Sequence, residues 1–318
     1  MSSERPLVSV IIVSYNTRDM TVDCLRTLYA DLGALEAEVW VVDNASQDDS
    51  VEAIRQAFPQ VKLIENGSNA GFGAANNRAM RQAQGDYFLL LNSDAFPKPG
   101  AIAALIACAQ AHPDAAVVGP RLLNKDGSLQ TSCYRFPSPG RAWLENLWIS
   151  ALMQNHPTLG DYRRWPHDRE RDVDSVIGAC MLVRREAFEQ TQGFDERFFM
   201  YQEETDWQKN LREKGWSVIF TPTAQVTHLG GASGAGEQAR INRHFFDSLD
   251  YYEWKHHGLP GLISLRIAMA LGCLARAILW TLMMLVPGRR AVAAAKSRLH
   301  SWLFVRQMTH WRLDLRSS

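Results

Sequence analysis

Four short apolar runs, separated by stretches of helical periodicity, decide what the N-terminal part of this chain can fold into. They are Leu7–Val13, Val39–Val42, Val61–Ile64 and Tyr87–Leu91. A continuous apolar run of this length reads as a strand buried on both faces. Between them, Asp19–Ala30 carries Met20, Cys24 and Leu28 on one stripe, and Ser50–Phe58 is capped by Asp48 or Asp49 and stopped by Pro59. A loop with Gly67, Gly71 and Gly73 leads into a third helix through about Ala83. Strands alternating with helices imply a parallel sheet with right-handed crossovers. Each run also stops in polar residues: Tyr15 and Asn16, Asp43, Asn66, then Asn92-Ser93-Asp94. Ligands of open α/β sheets sit beyond the carboxyl ends of the strands, so these side chains predict a nucleotide cleft. The competing reading is that Asp, Asn and Ser simply terminate strands.

Beyond Asp94 the pattern loosens. Pro97–Gln110 reads as a helix, Ala115–Val118 as a strand, and Lys125-Asp126-Gly127-Ser128 as a hairpin turn. Residues 130–172 are rich in Trp, Arg, Tyr and Pro, which suits sugar stacking and phosphate contact as well as ordinary packing. Val173–Ile177 and Ala179–Val183 read as strands around Gly178. Glu203–Lys214 is a helix with Trp207 and Leu211 on one stripe and Gly215 at its end. Ser217–Phe220 and Gln225–His228 are short strands, and the glycine-rich Gly230–Gly236 is a lid or a linker.

Spacing excludes two phosphate-binding classes. Gly71-Phe72-Gly73-Ala74-Ala75-Asn76 imitates the dinucleotide fingerprint, but Asn76 replaces its third glycine and the stretch follows the third strand. No P-loop pattern exists either. Asn92-Ser93-Asp94 offers oxygen ligands for a hard cation, Mg²⁺ or Mn²⁺, of the kind that holds a diphosphate. A second acidic set, Gln202-Glu203-Glu204-Thr205-Asp206, can supply a general base, or merely acids favoured in the first turn of a helix. His228 is a third metal or phosphate ligand or a structural histidine. Lys plus Arg equals Asp plus Glu at 34 each, which gives no sign of a nucleic-acid partner. Five scattered cysteines without motif spacing fit a reduced, cytosolic compartment. The run at Leu7–Val13 is too short for a secretory leader.

The charge is uneven. From Pro260 onward nine Arg or Lys stand against one acid, Asp314, about +8, which leaves about −8 elsewhere. Leu262–Val286 is strongly apolar but holds Arg266 and Arg276, both costly inside a span. Arg289–Arg312 mixes cations with Trp302, Leu303, Phe304, Val305 and Trp311. Two basic amphipathic helices lying on an anionic membrane surface account for this composition. The alternatives are a hairpin packed on protein or on a second copy, and a single tilted span.

Several of these stretches together resemble family 2 glycosyltransferases of the GT-A fold. Pro6–Asn16, Val41–Asp48, Asn69–Asn77 and Leu89–Asp94 follow the family's order, the last at the place of its DxD motif. Gly178–Arg185, Gly193–Glu196 and Phe198–Asp206 complete the series, which is most similar to the bacterial rhamnosyltransferase-like branch. The resemblance covers about residues 6–235. It implies an α/β fold, GT-A, Rossmann-like with a mostly parallel sheet and helices on both faces, followed by C-terminal amphipathic helices. It also implies metal-dependent, inverting transfer from a nucleoside-diphosphate sugar, with dTDP-rhamnose favoured. Asp43 would contact the base, with Tyr15, Asn16 and Asn66 lining the nucleotide pocket and Asn69, Gly71 and Asn76 in the loop beside it. Asn92, Ser93 and Asp94 would hold the diphosphate, with Asp94 and His228 on the metal. Glu204, or Glu203 beside it, would be the base, because the family's Glu-Asp pair is Glu-Glu here.

The expected division is a catalytic domain over 1–235, with a nucleotide-binding half over 1–96 and an acceptor-side half over 97–235. A helical membrane-associating region over 236–318 follows it. The expected acceptor is a saccharide, such as a polyprenyl-diphosphate-linked one in envelope polysaccharide assembly. The expected location is cytoplasmic, peripheral on the inner face of the plasma membrane. A catalytically silent nucleotide-sugar-binding or membrane scaffold protein, and a sugar nucleotidyltransferase, are the competing classes.

Overall fold

A computed structural model describes residues 8–153, 156, 165–230 and 238–309. The readings placed on Leu7, on 154–155 and 157–164 of the aromatic stretch, on 231–236 of the glycine loop and on 310–318 of the tail lie outside them. The chain runs β1 (Val8–Ser14), α1 (Arg18–Leu32), β2 (Ala37–Asp43), α2 (Ser50–Ala57), β3 (Lys62–Glu65), α3 (Phe72–Met80), β4 (Tyr87–Asn92) and β5 (Ala95–Pro97). Next come α4 (Ala101–Ala111), β6 (Ala115–Leu123), β7 (Leu129–Gln130), β8 (Cys133–Tyr134), α5 (Pro139–Asn146) and α6 (Ile149–Leu152). The remainder is β9 (Arg171–Asp172), β10 (Ser175–Val176), β11 (Cys180–Arg184), α7 (Arg185–Thr191), α8 (Glu203–Glu213), β12 (Ser217–His228), α9 (Gln238–Met283) and α10 (Arg290–Thr309). The described residues fall into two compact units, one within Met1–Phe136 and Trp165–Phe245, the other within Pro137–Arg164 and Phe246–Ser317.

The first unit is built on one sheet with strand order β3-β2-β1-β4-β11-β6-β12-β5. β3, β2, β1 and β4 are parallel, as the alternation predicts, and β11 runs against both β4 and β6. In the parallel half Ser14 is in register with Asp43, and Val13 with Asn92, so the polar residues that end the runs share one edge. Alternation sorts the apolar side chains to two faces. Val8, Val10, Ile12, Val39, Val41, Leu89 and Leu91 join Cys24, Leu25 and Leu28 of α1 and Leu105 of α4. On the opposite face Phe88 meets Phe188 edge-on, Phe188 meets Trp207, and Trp207 packs on Phe194, which reaches Phe72. That aromatic chain fixes α8 under the sheet, four residues downstream of Glu203.

Several local expectations are corrected. The helix expected from Pro97 starts only at Ala101, because Ala95–Pro97 pairs with β12 as an edge strand, where a proline lacks no needed donor. The two strands expected at 217–220 and 225–228 are one strand, interrupted by a register shift between Thr221 and Gln225. Of Val173–Ile177 only Ser175–Val176 is strand, paired with β8. Neither Asp48 nor Asp49 caps α2 through its side chain: Asp49 is left-handed, and Asp48 accepts from the Arg18 amide and from the Ser50 hydroxyl.

In the second unit, α9 kinks at Gly258, whose φ is 65°. Arg266 is not on a polar surface stripe. It is buried and donates to Asp250 at 2.8 Å. Arg306 of α10 donates to Asp247 at 2.6 Å and approaches Asp250 at 3.4 Å. Arg276 lies 4.6 Å from the Trp148 ring centroid. Arg266 and Arg306 therefore pair inward. Asp250→Ala strips Arg266 of its carboxylate in a buried setting, and we expect a loss of about 3–5 kcal/mol in unfolding free energy by chemical denaturation.

Candidate active site

Asp94 sits in the turn between β4 and β5 and is buried. Its neighbour Ser93 accepts from Thr17 Oγ1 at 3.2 Å, and the Leu229 amide donates to the Asp94 carbonyl at 3.1 Å. β5 then pairs antiparallel with the end of β12, with His228 opposite Ala95. That ladder carries a histidine from far along the chain to the aspartate: His228 Nε2 lies 3.3 Å from Asp94 Oδ1.

The hydrogen bonds around Gln130 fix what that contact is. Gln130 Nε2 donates to the His228 carbonyl at 3.1 Å and to Asn124 Oδ1 at 3.0 Å. Its Oε1 therefore faces His228 Nδ1, 2.7 Å away, which favours the tautomer with the proton on Nδ1. In the neutral ring Nε2 is then a lone-pair acceptor turned toward a carboxylate oxygen. With the ring neutral, two acceptors face each other, and a cation between them would satisfy both. One carboxylate and one imidazole suit Mn²⁺, and Mg²⁺ with water completing its shell, so the donor set fits the divalent ion expected at this place.

Glu203 and Glu204 open α8 after two consecutive left-handed residues, Tyr201 (φ 69°) and Gln202 (φ 66°). Glu203 is buried and Glu204 partly exposed. Burial, and next the charge of Glu204, hold the Glu203 carboxyl well above the ordinary carboxylate value. Burial also raises Glu204, while backbone amides, that of Gly178 among them, pull the other way. One oxygen of each, Oε2, is buried without a hydrogen-bond partner among the described residues. The segment before α8 is locked to the glycine loop. The Phe72 amide donates to the Phe199 carbonyl at 3.1 Å, and a Cβ on Gly71 (φ +83°) would lie 2.3 Å from that oxygen. Only glycine fits there.

A cavity of about 360 Å³ joins these groups, lined by Tyr15, Asn69, Gly71, Asn92, Ser93, Asp94, Glu203, Glu204 and His228. Nine of the residues singled out from sequence thus converge. The other four are not part of this lining, and Asn16 is exposed. Asp43 accepts from the Ser46 amide at 2.9 Å and keeps Oδ1 buried without a partner among the described residues. Asn66 donates to Asn44 Oδ1 at 2.7 Å. Asn16 accepts from the Gln47 amide at 2.8 Å, and Asn76 donates back to Phe72 O in its own helix at 3.0 Å. The cavity wall also holds Asn44, Phe72, Ile177, Gly178, Phe199, Tyr201 and His244. All but Ile177 and His244 fall inside the stretches that carried the resemblance. Gln130, which orients His228, carries no sequence signal at all.

The sequence profile of Glycosyl transferase family 2 matches residues 9–191. The N-acetylglucosaminyl-diphospho-decaprenol L-rhamnosyltransferase of Mycobacterium tuberculosis is 32% identical over 241 residues, covering 69% of this chain and 76% of its own. A low-salt glycan biosynthesis hexosyltransferase of Haloferax volcanii is 26% identical over 228 residues, 70% of this chain and 66% of its own. A mannosyltransferase of Pyrobaculum calidifontis, solved with GDP-Man and Mn²⁺, superposes with a TM-score of 0.58 at 18% identity, covering 98% of this chain and 89% of its own. The fold is GT-A. The chain belongs to glycosyltransferase family 2, in its rhamnosyltransferase-like branch.

Proposed function

We infer that the chain moves a sugar from a nucleoside-diphosphate sugar to a hydroxyl of a lipid-linked saccharide in envelope glycan synthesis, inverting the anomeric carbon. dTDP-rhamnose is the favoured donor and a polyprenyl-diphosphate saccharide the favoured acceptor. This follows the activity named for the mycobacterial relative. The observation that carries the reading is that the Asp94–His228 pair and Glu204 face one cavity. Residues within 1–96 hold the nucleotide: Asp43 the base, Tyr15 and Asn66 the ribose side, Asp94 the diphosphate. Residues within 97–235 supply the base and His228.

Asp94 and His228 would hold Mg²⁺ or Mn²⁺. An ion held there would supply positive charge against the departing diphosphate. Glu204 accepts the proton of the acceptor hydroxyl. That oxygen forms its bond to the anomeric carbon as the bond to the diphosphate breaks, and nucleoside diphosphate leaves from the opposite side. Glu203 lies deeper, and its carboxyl is raised further above the ordinary value. The work is placed on the inner face of the plasma membrane, where a lipid-linked acceptor would be met.

The test supplies dTDP-rhamnose, Mn²⁺ and a short-chain N-acetylglucosaminyl-diphospho-prenol. The expected products are a rhamnosylated lipid and dTDP in equal amounts. Release of pyrophosphate would point to a nucleotidyltransferase, and no transfer from any nucleotide sugar would leave only a binding protein.

A further inference from the structure

The distal part of α9 is inverted relative to a helix made for water. Ile263, Ile267, Leu271, Leu274, Ile278 and Leu282 of α9 are all between 36% and 58% exposed. At 100° and 1.5 Å per residue they form one arc about 100° wide and about 28 Å long. The two cations in this part of α9 point elsewhere. Arg266 is paired with Asp250, and Arg276 reaches the Trp148 ring and the Asn146 side chain. Thr281, a polar residue at the edge of the arc, donates to its own helix at the Ala277 carbonyl. Water-facing helices show the reverse arrangement, apolar inward and charged outward. Ionisable groups that face the interior and pair with each other, under an apolar exterior, are the habit of lipid-embedded helices.

We propose that this arc of α9 inserts into the acyl region of one leaflet of an anionic bilayer. Charge chooses lipid over a second copy of the chain. No Asp or Glu occurs between Glu253 and Asp314, while Arg289, Arg290, Lys296 and Arg298 are exposed. Two copies packed arc to arc would bring these cations together with no acid from the same segment to meet them. Anionic headgroups meet them with the opposite charge. Packing chooses insertion over a span. Ser297 hydrogen-bonds Thr281 at 2.9 Å and Lys296 lies 4.4 Å from the Trp280 ring, so α10 is fastened to the distal part of α9. A crossing α9 would drag Lys296 and Arg298 into hydrocarbon. The inference rests on the proposed lipid-linked acceptor only for its purpose.

The test is flotation of the full chain with vesicles of phosphatidylcholine, alone or with phosphatidylglycerol, in the absence of donor and acceptor. The natural protein is expected to float with the anionic vesicles and to stay afloat when salt is raised after binding. Leu271→Glu with Ile278→Glu is expected to cut flotation at least tenfold while keeping the thermal melt and transfer to a soluble acceptor. Three results overturn the proposal: a double variant that floats like the natural chain, release of bound protein by salt alone, or a dimer in sedimentation that the substitutions dissociate while neither protein floats. Transfer activity is read without vesicles, so failure of the catalytic reading and failure of this one are separate outcomes.

Discussion

Glu204→Gln is expected to lower the rate of transfer by about 10²–10⁴-fold, the range of a lost general base, with donor affinity unchanged. The substitution keeps the side chain's length and its hydrogen bond from Gly178 but cannot take a proton. Glu203→Gln should cost less, because that carboxyl lies deeper and its pKa is raised further, by burial and then by Glu204. The pH profile separates a base from a packing role. Both carboxyls are raised above the ordinary carboxylate value, so the working anion forms only at higher pH. The acid limb of transfer should therefore lie above the usual carboxylate range and belong to the pair. Glu204→Gln should flatten it. The same shifts make the protonated pair favour the fold, a contribution lost as pH rises through their folded pKa values, since the unfolded carboxyls ionise first. Full turnover by Glu204→Gln would reject the assignment.

Removing the divalent ion is the other large effect. Thorough chelation is expected to stop transfer, and Mn²⁺ or Mg²⁺ to restore it. Asp94→Asn should abolish Mn²⁺ binding in a calorimetric titration. Gln130→Leu tests the geometry from outside the ligand set. It frees His228 to turn and to change tautomer, and should weaken Mn²⁺ binding about 10–100-fold while the thermal melt changes little. Undiminished turnover after chelation would remove the metal from the reaction. An unchanged Mn²⁺ affinity in Gln130→Leu would mean that His228 is not held through Nδ1.

Much of the N-terminal half was legible because its physics is local. Val8–Ser14 and Tyr87–Asn92 are buried on both faces, and such strands are mostly apolar, Ser9 being a buried exception that donates to Glu38. Their polar last residues stand out against that background. Legibility fell where long-range pairing decides. Nothing in Ala95–Pro97 announces an edge strand; it is one because β12 returns beside it. Gln130 sits in a two-residue strand whose role depends on a histidine 98 positions away. The C-terminal pattern was read as amphipathic. Its composition did not show that Arg266 and Arg306 turn inward, because the carboxylates that draw them, Asp247 and Asp250, precede the apolar run.

The register shift in β12 sets a constraint on chain length. Thr221 is opposite Pro120 and Gln225 is opposite Arg121, so Pro222, Thr223 and Ala224 bulge from the ladder with β6. This slack determines which residue arrives at Ala95. A strand advances about 3.3 Å per residue and alternates faces. One residue added or removed in the bulge, with the ladder before it kept, would carry His228 about that far from Asp94 and turn its ring away from the cavity. Identity can drift at the exposed Thr223, whereas Ala224 is buried in the core and the number of the three is fixed.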